Sequence, residues 1–157
     1  MQKAFNMELK KITETITVSP QITATDIPTI KEAGFRAIIC NRPDGESADQ
    51  PAFAEIEAQA KALGLEVRYQ PVMAVSDADA ASFAKLLEDL PKPVLAYCRS
   101  GTRCATLWSL AHADRLPMTD ILAATKAAGY DMTGLVPRLA QADKSPADAP
   151  RDMVRGG

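Results

Sequence analysis

Short apolar runs alternate with longer amphipathic ones along most of the chain. Thr13 to Val18 alternates threonine with apolar residues and stops at Ser19-Pro20, the pattern of a half-buried strand that ends in a turn. Thr25-Asp26 can cap a helix through about Ala33, with Gly34 at the left-handed closing position. Phe35 to Cys40 reads as a buried strand ended by Asn41-Arg42-Pro43-Asp44-Gly45. The unit repeats as a helix from about Pro51 to Leu63, a Gly64 stop, and a strand from Leu65 to Gln70 closed by Pro71. Ser76 starts a helix over about Asp77 to Leu90, with Phe83, Leu86, Leu87 and Leu90 on one face. Pro93 to Tyr97 is a further apolar strand running into Cys98, and helices follow at about Arg103–Leu116, Thr119–Ala128 and Met132–Gln141. Such alternation predicts a single α/β domain, a mostly parallel central sheet flanked by helices. The Cys98 strand should be central, with the thiol open to solvent at the sheet's carboxyl edge.

Length and composition narrow the function classes. The 157 residues suit one domain, here residues 1–142, followed by a Pro-, Ala- and charge-rich tail over 143–157 with no hydrophobic period. A net charge of -2 and a pI near 5.4 offer no basic field for a nucleic-acid backbone. No apolar run suits a secretory core or a membrane span, so a cytoplasmic protein with no membrane partner is expected. The cysteines are odd in number, at 40, 98 and 104, with no Cys-x-x-Cys pair, which disfavours a disulfide scaffold and a metal site. No cofactor is expected, and reactive thiols become the interesting reading.

The chemistry concentrates where the strand ends, at Cys98-Arg99-Ser100-Gly101-Thr102-Arg103. Gly101 lets successive N–H groups turn toward one point, the following helix adds partial positive charge at its N-terminus, and Arg103 adds a full one. That field suits a small anion. It also stabilises a thiolate, bringing the Cys98 pKa below the free value of about 8.5 and making it a nucleophile near neutral pH. Cys98 and Arg103 are therefore the candidate catalytic pair, and Arg99, Ser100, Gly101 and Thr102 the candidate substrate-binding residues. Arg99 could equally face solvent. The lone His112, nine residues into the helix, reads as a helix-face residue and not as a general base.

Val18-Ser19-Pro20-Gln21-Ile22-Thr23, Gly34-Phe35-Arg36-Ala37-Ile38-Ile39, Arg42-Pro43-Asp44-Gly45-Glu46, the Cys98–Arg103 loop and Gly129-Tyr130-Asp131 together resemble the phosphatase-like domain family of beta-lactamase-hydrolase-like proteins. The resemblance implies a fold similar to dual-specificity phosphatases, and an activity described in that family both as phosphatase and as sulfurtransferase. It also implies an association with sulfide-oxidising enzymes. Three departures from the dual-specificity pattern stand out. Four residues separate Cys98 from Arg103 where those enzymes have five, Tyr97 replaces their His, and Met73 and Ala74 stand where their general-acid Asp is found. Asp77 and Asp79 are the nearest carboxylates, better placed to favour a helix N-terminus. The loop itself looks like that of rhodaneses.

Those departures put sulfur transfer through a Cys98 persulfide first, with a thiol acceptor and a small anionic sulfur donor. Phosphomonoester hydrolysis through phospho-Cys98 comes second, and a non-catalytic anion or redox sensor third. Cys104 stands where phosphatases commonly carry Ser or Thr, and reads as a small packed residue or a resolving thiol. Cys40, on the strand expected beside that of Cys98, could act as a protective thiol. Arg42 and Asp44 could border the site, or Asp44 could stabilise its turn.

Overall fold

The structure is a computed structural model that describes residues 8–143. The tail expected over 143–157 lies almost wholly outside the described residues. Five strands form one sheet in the order β1-β2-β5-β3-β4: β1 (Lys10–Lys11), β2 (Ile16–Ser19), β3 (Ala37–Cys40), β4 (Glu66–Tyr69) and β5 (Val94–Tyr97). All neighbours run parallel except β1 with β2. The strand before Cys98 is central, as its apolar sequence demands. The expected strand over Thr13–Val18 starts late, because Ile12 N–H and Thr13 N–H both bond Ile16 O and Thr13 Oγ1 accepts from Thr15 N–H, making a hairpin turn of the threonines.

The apolar strands carry two cores, one on each face. Ile16 and Val18, Ala37 and Ile39, and Val94, Ala96 and Cys98 point into one layer with Phe83, Leu107, Trp108, Ile121 and Leu139. Ile38 and Cys40, and Leu95 and Tyr97, point into the other with Ile27, Ile30, Ile56 and Ala60. The second layer is covered by α1 (Ile27–Glu32) and α2 (Phe53–Ala62), the first by α3 (Asp77–Asp89), α4 (Thr102–Ala111), α5 (Met118–Ala127) and α6 (Val136–Asp143). Burial on both faces explains why the inner strands show no polar alternation. Ser76 caps α3 through its side chain, and Asp79 returns the bond to Ser76 N–H. The helix expected over Arg103–Leu116 starts one residue early and ends at Ala111, where His112 Nδ1 lies 2.9 Å from Trp108 O. Among the described residues no helix is long and apolar enough to cross a membrane.

Register decides what meets at the carboxyl edge. Cys40 is opposite both Tyr97 and Tyr69, so β3, β4 and β5 end level and their following loops converge. Those loops carry residues 41–52, 70–76 and 98–101.

Candidate active site

Cys98 leaves β5 at the centre of that edge, and the loop turns into α4 through Gly101, whose φ of 94° places it in the left-handed region. A Cβ there would also collide with the Tyr130 hydroxyl, which donates to Ser100 O at 3.1 Å. Glycine is required on both counts. The turn aims backbone N–H groups at the sulfur: Gly101 N–H lies 3.1 Å from Cys98 Sγ. Cys98 is consequently pulled to a pKa of about 5, first by the Cys104 S–H, against the cost of burial, and then by the N–H groups of Cys104, Gly101 and Arg103. The direction of that shift is the one the loop chemistry leads one to expect, toward the thiolate.

The expected openness is not observed. Cys98 is 0% exposed, because a four-residue loop leaves little room and folds its donors directly onto the sulfur. The cradle is occupied by the thiolate itself. Ser100 and Thr102 are exposed and bond each other through their hydroxyls at 3.0 Å, leaving their backbone to shape the loop. Arg99 is exposed, and its carbonyl accepts from Gln21 N–H.

Arg103 is tied to two other loops. Its Nη1 and Nη2 donate to the two oxygens of Glu46 at 2.8 and 2.9 Å, and Nη1 also donates to Val72 O at 2.8 Å. A guanidinium has five N–H groups. Three are used, so the Nε–H and one Nη2–H stay free among the described residues, and these two form a parallel fork along one edge. Glu46 is held well down, at about 2, first by its bond to Arg103. Arg42, 4% exposed, fixes Glu46 in turn, donating from Nε to Glu46 Oε1 at 3.0 Å, from Nη1 to Gln21 Oε1 and from Nη2 to Ser47 Oγ.

Several expected site residues lie elsewhere. Cys40 sits on the strand beside β5 as expected, but its side chain points into the opposite core with Tyr97, while Cys98 faces the other. Side-chain alternation separates neighbouring strands' residues in this way, and it removes Cys40 from the role of protective thiol. Burial pushes the Cys40 thiol up. Asp44 accepts from Phe53 N–H at 2.8 Å and its own N–H donates to Tyr69 Oη, so it fastens the loop to α2. Asp79 is engaged in the α3 cap and Asp77 in an ion pair with Arg138 at 2.9 Å, which leaves neither as an evident acid. Cys104 is 0% exposed and its thiol is pushed well up by burial. It donates to Asn41 Oδ1 at 3.2 Å.

Glu46, Asn41, Val72 and Tyr130 escaped assignment from the residues alone. Each acts through a contact between loops distant in sequence, and only the four-residue spacing of Arg42 and Glu46 hinted at a local pair.

Comparison with known proteins fits this geometry. The beta-lactamase hydrolase-like protein of Agrobacterium fabrum is 33% identical over 130 residues, which cover 80% of this chain and 30% of that protein. The chain therefore spans less than a third of the curated relatives it matches. A phosphatase candidate from Neisseria meningitidis, solved by crystallography, is 38% identical with a TM-score of 0.78, covering 87% of this chain and 99% of the other. TpbA of P. aeruginosa, crystallised as a Cys-to-Ser variant with phosphotyrosine, shares the fold at 14% identity and a TM-score of 0.59, over 91% of this chain and 96% of the other. These relatives favour the second of the two chemistries expected from the loop, and sulfur transfer finds no support in them. Residues 8–115 match the sequence profile of the beta-lactamase hydrolase-like protein, phosphatase-like domain. The chain, with Cys98 just before a helix N-terminus in a fold it shares with cysteine phosphatases, belongs to that family.

Proposed function

We propose that the protein hydrolyses aryl phosphate monoesters, phosphotyrosine among them, through a phospho-Cys98 intermediate. The observation that carries this reading is the placing of Cys98 Sγ just before the N-terminus of α4 and 3.1 Å from the Gly101 N–H, a setting that pulls its pKa down and favours the thiolate. The sulfur attacks phosphorus as the aryl oxide leaves. Oxygens of the transferring group take over the N–H groups of Gly101, Arg103 and Cys104 from the sulfur, whose charge is spent in the new S–P bond, and the Nε/Nη2 fork of Arg103 clamps two of them. The cradle must open for this exchange, since the resting sulfur is covered. Water then attacks phosphorus, the P–S electron pair returns to Sγ, and the water's proton leaves on the phosphate.

The leaving group defines the substrate class. Asp77 and Asp79 are engaged elsewhere, so neither is in place to protonate an alkoxide. A phenolate, whose conjugate acid has a pKa of about 10, departs without that help. Exposed Arg99 at the loop mouth supplies a second cation for a dianionic group.

The tight loop keeps sulfur transfer as the second reading, because donors already converge on a single sulfur atom. One experiment separates the two: para-nitrophenyl phosphate, phosphotyrosine, phosphoserine and thiosulfate are offered in parallel, with intact-mass detection of what accumulates on Cys98. Release of phosphate from the two aryl esters, little from phosphoserine, and a phosphoryl mass gain are expected. No aryl phosphatase activity, together with a gain of one sulfur from thiosulfate passed on to an added thiol, would reverse the order.

A further inference from the structure

The peptide unit between Ser100 and Gly101 is held at both of its poles. Its N–H, on Gly101, lies 3.1 Å from Cys98 Sγ, and its carbonyl, on Ser100, accepts from the Tyr130 hydroxyl at 3.1 Å. A trans peptide such as this one points its N–H and its C=O in opposite directions, so a donor that fixes the oxygen on one side fixes the hydrogen on the other. Among the described residues no other group bonds that carbonyl. Gly101 sits in the left-handed region at a φ of 94°, and reversing the peptide by half a turn would carry it to the ordinary negative side, which glycine accepts as readily. Reversed, the unit would aim Ser100 O at the sulfur and repel a thiolate or a phosphoryl oxygen. Tyr130 is itself firmly anchored. Gly129 closes α5 with its N–H on Lys126 O at 2.9 Å, and Tyr130 N–H bonds Thr125 O at 2.9 Å, the paired bonds of a Schellman closure. The ring is buried and stands so close to Gly101 that a Cβ there would meet its hydroxyl.

We propose that Tyr130 is a positioning residue of the reaction that acts through the Ser100–Gly101 peptide, holding its oxygen back so that the Gly101 N–H meets first the Cys98 sulfur and then an oxygen of the transferred group. The hydroxyl sets the direction of that donor and also its strength, because a carbonyl that accepts a hydrogen bond polarises its own amide and makes the N–H a better donor. No bond is made or broken at Tyr130, and its proton stays on the phenol. Burial, with the nearby charges of Cys104, Cys98 and Glu8, raises that phenol to about 12, so the hydroxyl remains a donor throughout the range in which Cys98 titrates. This deepens the phosphatase reading and rests on it for the second contact; the first exists without substrate.

Tyr130→Phe keeps the ring and removes only the hydroxyl. The Cys98 thiolate is titrated by its ultraviolet absorbance, with Cys98→Ser as the blank, and the Gly101 amide proton is followed over the same pH range by NMR in protein labelled at its eight glycines. In the wild type the Gly101 signal should move as Cys98 titrates. In Tyr130→Phe that movement should shrink by about half and the Cys98 pKa should rise by about 1 unit, the lower end of what a hydrogen bond to a charged group is worth. Cys104, Arg103 and Cys40, the other titratable groups around that sulfur, are the same in both proteins. Mono- and difluorotyrosine at position 130 strengthen the donor in steps, and the Cys98 pKa should fall below the wild-type value in that order. This series also decides the matter should Tyr130→Phe fail to fold. A Tyr130 that only packs against the loop would lower the melting temperature of Tyr130→Phe and leave both titrations in place; that result, or a Cys98 pKa indifferent to fluorination, overturns the proposal. On para-nitrophenyl phosphate Tyr130→Phe should lose about tenfold in kcat with little change in KM, since the lost donor serves the transferring group. A wild type inactive on aryl phosphates would end the phosphatase reading, while the two titrations would still decide the role of Tyr130.

Discussion

Replacing Glu46 by Gln removes a charge on which two arginines depend while keeping the side chain's shape. Glu46 accepts two bonds from Arg103 and one from Arg42, all between 2.8 and 3.0 Å. The fall of its pKa from 4.5 to about 2 corresponds to roughly 3 kcal/mol between the charged and protonated forms. Its side chain is 19% exposed, and screening by the water that reaches it reduces the figure to about 1–2 kcal/mol. Glu46→Gln should therefore lower the melting temperature by a few degrees. It should also lower kcat/KM on para-nitrophenyl phosphate about tenfold, because about 1.4 kcal/mol of Arg103 positioning is lost. KM should rise with little change in the Cys98 titration. A depressed carboxylate gives its full stabilisation above the unfolded value of 4.5 and loses it as pH falls through about 2, so the gap between wild type and variant should stay constant from pH 5 to 7 and close in acid. A variant with wild-type melting temperature and kcat/KM at pH 6 would refute the reasoning that Glu46 sets the fork of Arg103.

Cys98→Ser should abolish turnover and preserve the fold, measured by phosphate release and circular dichroism; Arg103→Lys should cost heavily too, since an ammonium cannot present the Nε/Nη2 fork and bind Glu46 at once. The Cys98 thiolate should titrate near pH 5, and because its folded pKa lies below the unfolded thiol's, its contribution to stability is complete above about pH 8.5 and is lost as pH falls through 5, which a urea-denaturation series over pH 4–9 would show. Gly101→Ala should destabilise by about 2–4 kcal/mol, from the left-handed backbone and the collision with Tyr130 together, and a loss under about 1 kcal/mol in denaturant melts would contradict the packing described.

The fold was legible because its signals are local. Apolar runs such as Phe35–Cys40 and Pro93–Tyr97 announce strands covered on both faces, and Ser76 with Asp79 announces a helix start. The candidate nucleophile was legible for the same reason, since strand, cysteine, glycine and arginine lie within ten residues of one another. What the sequence concealed is set by register. Only the level ending of β3, β4 and β5 brings Glu46 and Val72 to Arg103, and only the alternation of side chains sends Cys40 away from Cys98 although their strands are neighbours. The covering of Cys98 arises from the absolute length of its loop, which the spacing to Arg103 suggested without giving a shape. The family resemblance was right about the fold. The preference for sulfur chemistry leaned on departures from the dual-specificity pattern, and the relatives weigh against it.

The two outermost strands have a bearing on how the molecule behaves at high concentration. β1 is two lysines long, and β4, the other border, turns Glu66, Arg68 and Tyr69 to solvent around a single buried Val67, with Arg68 and Glu66 paired at 3.2 Å. Short length on one side and charge on the other are the features that discourage a second chain from adding a strand. The apolar segments most prone to cross-β assembly, Ala37–Cys40 and Val94–Tyr97, are each hydrogen-bonded on both sides and never meet another molecule while the sheet is intact. Aggregation is therefore expected to require unfolding of the sheet first, which alone would bare the two strands that lead to Cys40 and Cys98.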